Sequence, residues 1–250
     1  MNVSIYQAAA ALSAFDRAQE VIAENMASTS VNGFKRQTPS FSAVQAGLVR
    51  APGVNGTSQH FLLPRVTSTI NFEPGQEKYT GTKTDVAIEG SGFFEVHLPK
   101  GGIYYTRDGE FKLNSKGQLV TKGGDYVMGQ GGPLQFDMTR ADAISIAPSG
   151  EARQGNNIVG KLKVVDFNNP QLLKDVGDGN FVAEAPELLP IAAKNASLRQ
   201  GFIEGSNASI MKEMATLMTN IRQYETNQRV IQMHDERIGH AIATLGEAGS

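Results

Sequence analysis

Apolar residues recur in heptads at the two ends of the chain and not between them. Near the N-terminus Ile5, Ala8, Leu12, Phe15, Gln19, Ile22 and Met26 are separated alternately by three and four positions. That period places one stripe of an α-helix against a partner. It predicts a helix over about 3–29, with Ser4 and Gln7 as a capping box and Asn32-Gly33 as the stop. At the other end Ile210, Met214, Leu217, Ile221, Tyr224, Gln228, Ile231, Asp235, Ile238, Ile242 and Leu245 keep the same alternation. They predict a helix over about 208–245, capped by Ser206 or Asn207 and stopped at Gly246. Such a helix is about 55 Å long at 1.5 Å per residue, more than the first can cover. The two stripes are expected to pair within the chain as a coiled coil. The uncovered remainder, with Met211, Met218 and Met233 outside it, calls for other chains, and methionine packs adaptably. Gln228 and Asp235 would weaken that seam and fix its register. A plain globule closed by two amphipathic helices is the competing reading, and uninterrupted heptads at both ends weigh against it.

The middle reads as β. Short strand-like runs cover Asp85–Glu89, Phe93–Leu98, Ile103–Arg107, Glu110–Leu113, Gln118–Lys122, Tyr126–Met128, Ala143–Ala147, Val159–Phe167 and Phe181–Ala183. Turn dipeptides such as Gly101-Gly102, Asp108-Gly109, Lys116-Gly117 and Ser149-Gly150 separate them. Strands at this spacing suggest an antiparallel sandwich or barrel-like domain. Pro39, Pro52, Pro64 and Pro74 mark an extended, partly irregular connector that orders on a partner. The fold class expected is therefore α+β: N- and C-terminal helices paired in a coiled coil, plus a central all-β domain. The divisions are 1–33 (helix), 34–77 (connector), 78–203 (β domain) and 204–250 (helix).

Composition narrows the function. The chain has 250 residues, 23 basic and 25 acidic, with no block of like charge, so neither nucleic acid nor an anionic membrane is an obvious partner. No run approaches the roughly 20 apolar residues of a membrane span, and no membrane insertion is expected. The first residues lack the basic start of a cleaved signal peptide. Absence of cysteine removes disulfides and thiolate chemistry. It suits either a cytosolic home or passage through an oxidising compartment.

Candidate chemistry is sparse. His60 and His97 are isolated, and His234 and His240 are six apart, not the four of a helical metal pair. Gly90-Ser91-Gly92 lacks the third glycine and following helix of a dinucleotide site. Gly129-Gln130-Gly131-Gly132 lacks the Lys-Ser/Thr of a phosphate loop. Asp85, Glu89 and Asp108 could supply a hydrolase carboxylate pair, but nothing sets their separation. Asp85 reads better as a partner of Arg107 or as a turn residue. No catalytic residue, cofactor or metal is expected. An enzyme acting on cell-wall glycans remains the competing class.

Three blocks of sequence carry a resemblance. The first runs from Val21-Ile22-Ala23-Glu24-Asn25-Met26-Ala27 to Asn32-Gly33-Phe34-Lys35-Arg36. The second is Thr84-Asp85-Val86-Ala87-Ile88-Glu89-Gly90-Ser91-Gly92-Phe93-Phe94, then Tyr105-Thr106-Arg107-Asp108-Gly109-Glu110-Phe111 and Gly117-Gln118-Leu119-Val120-Thr121. The third is Arg199-Gln200-Gly201-Phe202-Ile203-Glu204-Gly205-Ser206-Asn207, with Glu213-Met214 and Arg222-Gln223-Tyr224-Glu225 beyond. Together they resemble the flagellar rod and hook proteins of bacteria, most closely the FlgF/FlgG class of basal-body rod proteins. Met26, Phe202 and Ala208 depart mildly from the family pattern. Length and the segment Gly129–Phe136 favour a FlgF-type proximal rod protein. A distal FlgG-type or hook-type axial subunit, or a transient rod-binding adaptor, is the alternative. The resemblance implies a structural subunit of a helical tube in the periplasm, with the helices inside and the β domain outside, transmitting torque in cell motility. It implies export through the flagellar type III apparatus without a cleaved signal, and partnership with its own copies and other axial subunits.

Overall fold

The computed structural model describes residues 3–50, 58–140 and 142–247, and the chain divides into two compact units. One contains the described residues of 1–26, 37–69 and 210–250; the other contains those of 27–36 and 70–209.

The first unit is built from helix α1 (Val3–Ala27), strands β1 (Gln37–Arg50) and β2 (Ser58–Ile70), and helix α2 (Ile210–Glu247). Both terminal helices stand where the heptads predict them. The buried stripe of α1 differs in composition from the predicted one. Ala8, Ala14, Ala18, Ile22 and Asn25 are buried, while Ile5, Leu12, Phe15 and Met26 are half-buried. Alanine carries nothing beyond Cβ, so the elements packed on this face can approach closely. On one flank Gln7 Nε2 donates to Leu62 O at 3.0 Å and Phe15 packs on Phe41 with ring centroids 5.1 Å apart. Gln7 thus binds the strand instead of closing a capping box, and the Ser4 side chain lies outside the described residues. On the other flank Asn25 Nδ2 donates to Glu213 Oε2 and Asn220 Nδ2 donates to Phe15 O. Advance along one helix is retreat along the other, so α1 and α2 run antiparallel.

Within the segment expected to be extended and partly irregular, β1 and β2 pair as a two-stranded ribbon. Prolines 39 and 64 argue against a central strand but not against a ribbon. Every other N–H of a two-stranded sheet points outward, and at such a position proline forfeits no ladder bond.

The second unit is β-rich. Its strands include β3 (Glu77–Tyr79), β4 (Val86–Glu89), β5 (Phe93–His97), β6 (Ile103–Thr106), β7 (Lys112–Leu113), β8 (Leu119–Val120) and β9 (Tyr126–Gly129). β5 is its axis. On one side it pairs antiparallel with β6, Phe94 opposite Thr106. On the other it pairs with β9 and with the strand Val164–Asp166. Adjacent residues of a strand point to opposite faces, yet Phe93 and Phe94 are both buried. Phe94 enters a cluster with Val86, Phe111, Leu119, Val127 and Leu162. Phe93 enters a second with Tyr105, Val165, Phe167 and Phe181. The sheet is therefore covered on both faces, a layered packing rather than an open sheet.

The expected run Val159–Phe167 is broken into Asn157–Lys161 and Val164–Asp166. Between them Leu162 N donates to Gly150 O and Lys163 N to Met128 O, so the chain changes partners. Gly109 marks the tightest crossing. Val86 N donates to Gly109 O at 3.0 Å, and a Cβ on Gly109 would overlap Val86 O. Gly109→Ala should destabilise the fold by about 1–3 kcal/mol through overpacking, read as a lower urea midpoint by circular dichroism. An unchanged midpoint would mean that the crossing is slack.

Candidate assembly interface

The three blocks that carry the family resemblance meet at one carboxylate. Glu204 ends the strand Phe202–Glu204, which pairs with β3. Its Oε1 accepts from Lys35 Nζ at 2.6 Å and from Gly75 N at 2.9 Å. Its Oε2 accepts from Arg107 Nη1 at 3.1 Å. All three charged side chains are buried. Lys35 Nζ also donates to Glu73 O, and Arg107 to Ile88 O and Gly90 O. The guanidinium lies 5.6 Å from the Phe93 ring. Two cations share one carboxylate. Burial pulls Lys35 below its usual value, opposed by Glu204 and reinforced by the Arg107 charge. Burial likewise lowers Arg107.

The neighbouring motif residues hold the backbone around this triad. Gly33 N donates to Glu204 O at 2.8 Å. Its φ of +71° and its contact with the Arg107–Asp108 backbone leave no room for a side chain. Phe34 is buried and its carbonyl accepts from Asn207 N. The Asn207 side chain accepts from Arg36 N at 2.6 Å and donates to Asn71 O and Glu73 O. Thr106 Oγ1 donates to Gly179 O and accepts from Asp108 N. Gly201 N donates to Asp85 O at 2.8 Å. Phe111 stacks edge-on against Phe94 at 5.0 Å. Gly90 and Gly92 flank the turn into β5, both at positive φ.

Two sequence expectations are corrected here. Asp85 does not pair with Arg107; its Oδ2 accepts from Thr80 Oγ1 at 2.6 Å, and Glu204 is the Arg107 partner. Neither Ser206 nor Asn207 caps α2. Ser206 Oγ accepts from Ala208 N, before the helix begins, and the Asn207 side chain is committed to the backbone of Arg36, Asn71 and Glu73. Lys35 belongs to the first of these blocks, but a lone lysine in a sequence gives no sign of burial. Its bond to Glu204 spans 169 positions.

In the first unit Asn25 plays the equivalent part. Its Oδ1 accepts from Gln37 N and its Nδ2 donates to Gln37 O, the reciprocal pairing of a strand neighbour. The same Nδ2 reaches Glu213 at 3.2 Å. The inward side of α2 thus carries Glu213 and Asn220, both buried. Leu217, Tyr224, Ile231 and Ile238 of the predicted seam are half-buried. Ile210 (50% exposed), Met214 (42%) and Ile221 (40%) are turned outward, beside Met211 (78%) and Met218 (58%). Gln228 and Asp235 are exposed too, so they cannot set the register of an internal seam. The side chains of Ile242 and Leu245 lie outside the described residues. Among the described residues no helix is long and apolar enough to cross a membrane.

Comparison with known proteins agrees with this layout. Residues 87–153 match the model described as the flagellar hook protein FlgE/F/G D1 domain. Residues 199–244 match the flagellar basal body rod FlgEFG protein C-terminal model. The chain is 31% identical over 257 residues to the flagellar basal-body rod protein FlgF of Salmonella typhimurium, covering 98% of this chain and 99% of that one. It is 31% identical over 268 residues to FlgG of Borreliella burgdorferi, covering 96% and 98%. To FlgG of Agrobacterium fabrum it is 33% identical over 238 residues, covering 87% and 89%.

Glu204→Gln strands two buried cations and should cost about 3–5 kcal/mol. Lys35→Met leaves a one-to-one pair and should cost less; the reverse order in urea unfolding would contradict the triad. The pH dependence has a definite sign. The unfolded chain holds the Lys35 proton more tightly than the fold does, so stability from this group rises with pH between the depressed value and 10.5. Wild type should therefore gain on Lys35→Met as pH is raised through that window. A constant difference would remove the burial penalty from the account.

Proposed function

The chain belongs to the family of flagellar basal-body rod proteins, and from that premise we propose that it polymerises helically through its terminal helices into the periplasmic drive shaft. The observation that supports this is the orientation of α2. It turns Glu213 and Asn220 inward and leaves Ile210, Met211, Met214, Met218 and Ile221 open. A helix that served only its own chain would face the other way. Apolar burial is worth about 25 cal/mol per Å², so a few such side chains per contact contribute several kcal/mol. One surface meets a different surface on the next subunit, and a rotation that does not close gives a helix. Coiled-coil pairing of the seam residues Ile5, Leu12, Phe15, Ile22, Met26, Leu217, Tyr224, Ile231 and Ile238 is completed in that assembly.

The partners are further copies of the chain and other axial subunits, and the route is type III export. Its role is structural rather than enzymatic. The proximal, FlgF-type position is favoured by the chain's length and its segment Gly129–Phe136; the equal identity and similar mutual coverage of the Salmonella FlgF and the Borreliella FlgG leave the distal position as the second reading. Cross-linking in purified basal bodies distinguishes them by the neighbour captured.

Met214→Lys with Met218→Lys places charge on the outward stripe. The chain should unfold within about 0.5 kcal/mol of wild type, as surface changes do, yet fail to enter basal bodies and fail to support swimming. Normal incorporation would defeat the proposal.

A further inference from the structure

Within the second unit, the two ends of the sheet that runs through β5 differ in charge and shape. At one end the hairpin Lys174–Gly177 with Asn180–Val182 supplies the terminal strand. Val176 is 53% exposed on it, between Asp175 and Asp178, with exposed Leu172 just before the strand. Asp178 and Asn180 continue into a cavity whose wall carries Asp108, Glu110 and Asp125 against Lys122 as the sole cation lining it. This end is apolar at its tip and acidic around it.

At the other end the strand Val164–Asp166 pairs with Ile191–Ala192, which is bordered by no further strand among the described residues. Beside it lies a groove of about 480 Å³ with a floor of Leu162, Val164, Val165 and Ile191. Among the described residues its lining includes Lys161, Lys163 and Lys194 and no carboxylate. Lys163 is held by Glu95 at 2.8 Å; Lys161 and Lys194 are exposed. Strand order puts this groove and the acidic hairpin on opposite sides of β5, which pairs with β6 towards one and with Val164–Asp166 towards the other.

We propose that the hairpin of one copy docks in the groove of a second copy, Val176 on the apolar floor and Asp175 and Asp178 facing Lys161 and Lys194. The β unit then adds its own head-to-tail contact to the polymer. An unpaired terminal strand is a template for another strand, and here each end fits the other and repels its own kind. Because the two surfaces differ, the contact propagates instead of closing into a pair. Opposed charge fixes orientation and hastens encounter more than it adds affinity. This inference rests on the reading of the chain as a polymerising subunit.

The absence of cysteine gives a direct test. Val176→Cys and Ile191→Cys are made in separate full-length chains, each checked for a wild-type unfolding midpoint, then mixed at low salt under mild oxidation. A disulfide-linked dimer should form in the mixture at least fivefold above either variant alone. Added Lys161→Glu and Lys194→Glu in the Ile191→Cys chain should abolish that excess, as should high salt. If the mixture sediments as polymer without the cross-link, the docking is wrong while the reading of the helices stands. Loss of both polymer and cross-link overturns both. A cross-link unaffected by the lysine changes overturns the electrostatic part and leaves the apolar contact.

Discussion

A single buried carboxylate between two cations constrains the rest of the central unit. Glu204 joins Lys35, from the segment after α1, to Arg107, from the turn after β6. Removing ions from water costs several kcal/mol each, which mutual attraction repays only with good geometry and further hydrogen bonds. Further bonds are present: the Glu73 carbonyl accepts from Lys35, the Ile88 and Gly90 carbonyls accept from the Arg107 Nη atoms, and Gly75 N donates to the carboxylate, while Arg107 Nε is buried without a partner among the described residues. Such a site tolerates one arrangement. It therefore specifies where the two segments flanking the terminal helices enter the β unit, and Asn207 repeats the constraint on Arg36 and Asn71. Hydrophobic packing around Phe93 and Phe94 supplies bulk stabilisation; the ionic cluster supplies uniqueness.

The first unit is organised by the opposite economy of polarity. Its internal junction is an amide–carboxylate contact, Asn25 with Glu213, where an apolar seam would be the usual choice. Polar groups in a buried junction weaken it and select one register. The apolar surface so displaced lies on the outside of α2. A polar junction of this kind leaves apolar side chains of α2 exposed to solvent among the described residues.

Much of this was legible in sequence. The heptads located both helices because amphipathic period survives in any context. The run Phe93–Leu98, set off by turn signals, located β5, but the spacing does not say that Phe93 and Phe94 are buried on opposite faces. What failed did so for physical reasons. Heptad spacing fixes a helix but not which side meets the partner within the chain, and Ile210, Met214 and Ile221 point away from α1. Alanines 14 and 18 form the close-packed stripe of α1, yet alanine is too common in helices to signal contact. The ribbon escaped notice because Pro39 and Pro64 lower strand propensity, a penalty that vanishes at an edge. The ion triad spans 169 positions and could not be assembled from spacing.

The base of the ribbon is closed. Asn71 N donates to Arg36 O at 2.8 Å, and Asn207 grips both residues. Everything from Gln37 to Ile70 therefore leaves and returns through a fastened neck. Closing a longer loop costs only about 0.6 kcal/mol per doubling of length. Evolution can thus lengthen or shorten this excursion as freely as a tailor alters a sleeve without recutting the coat.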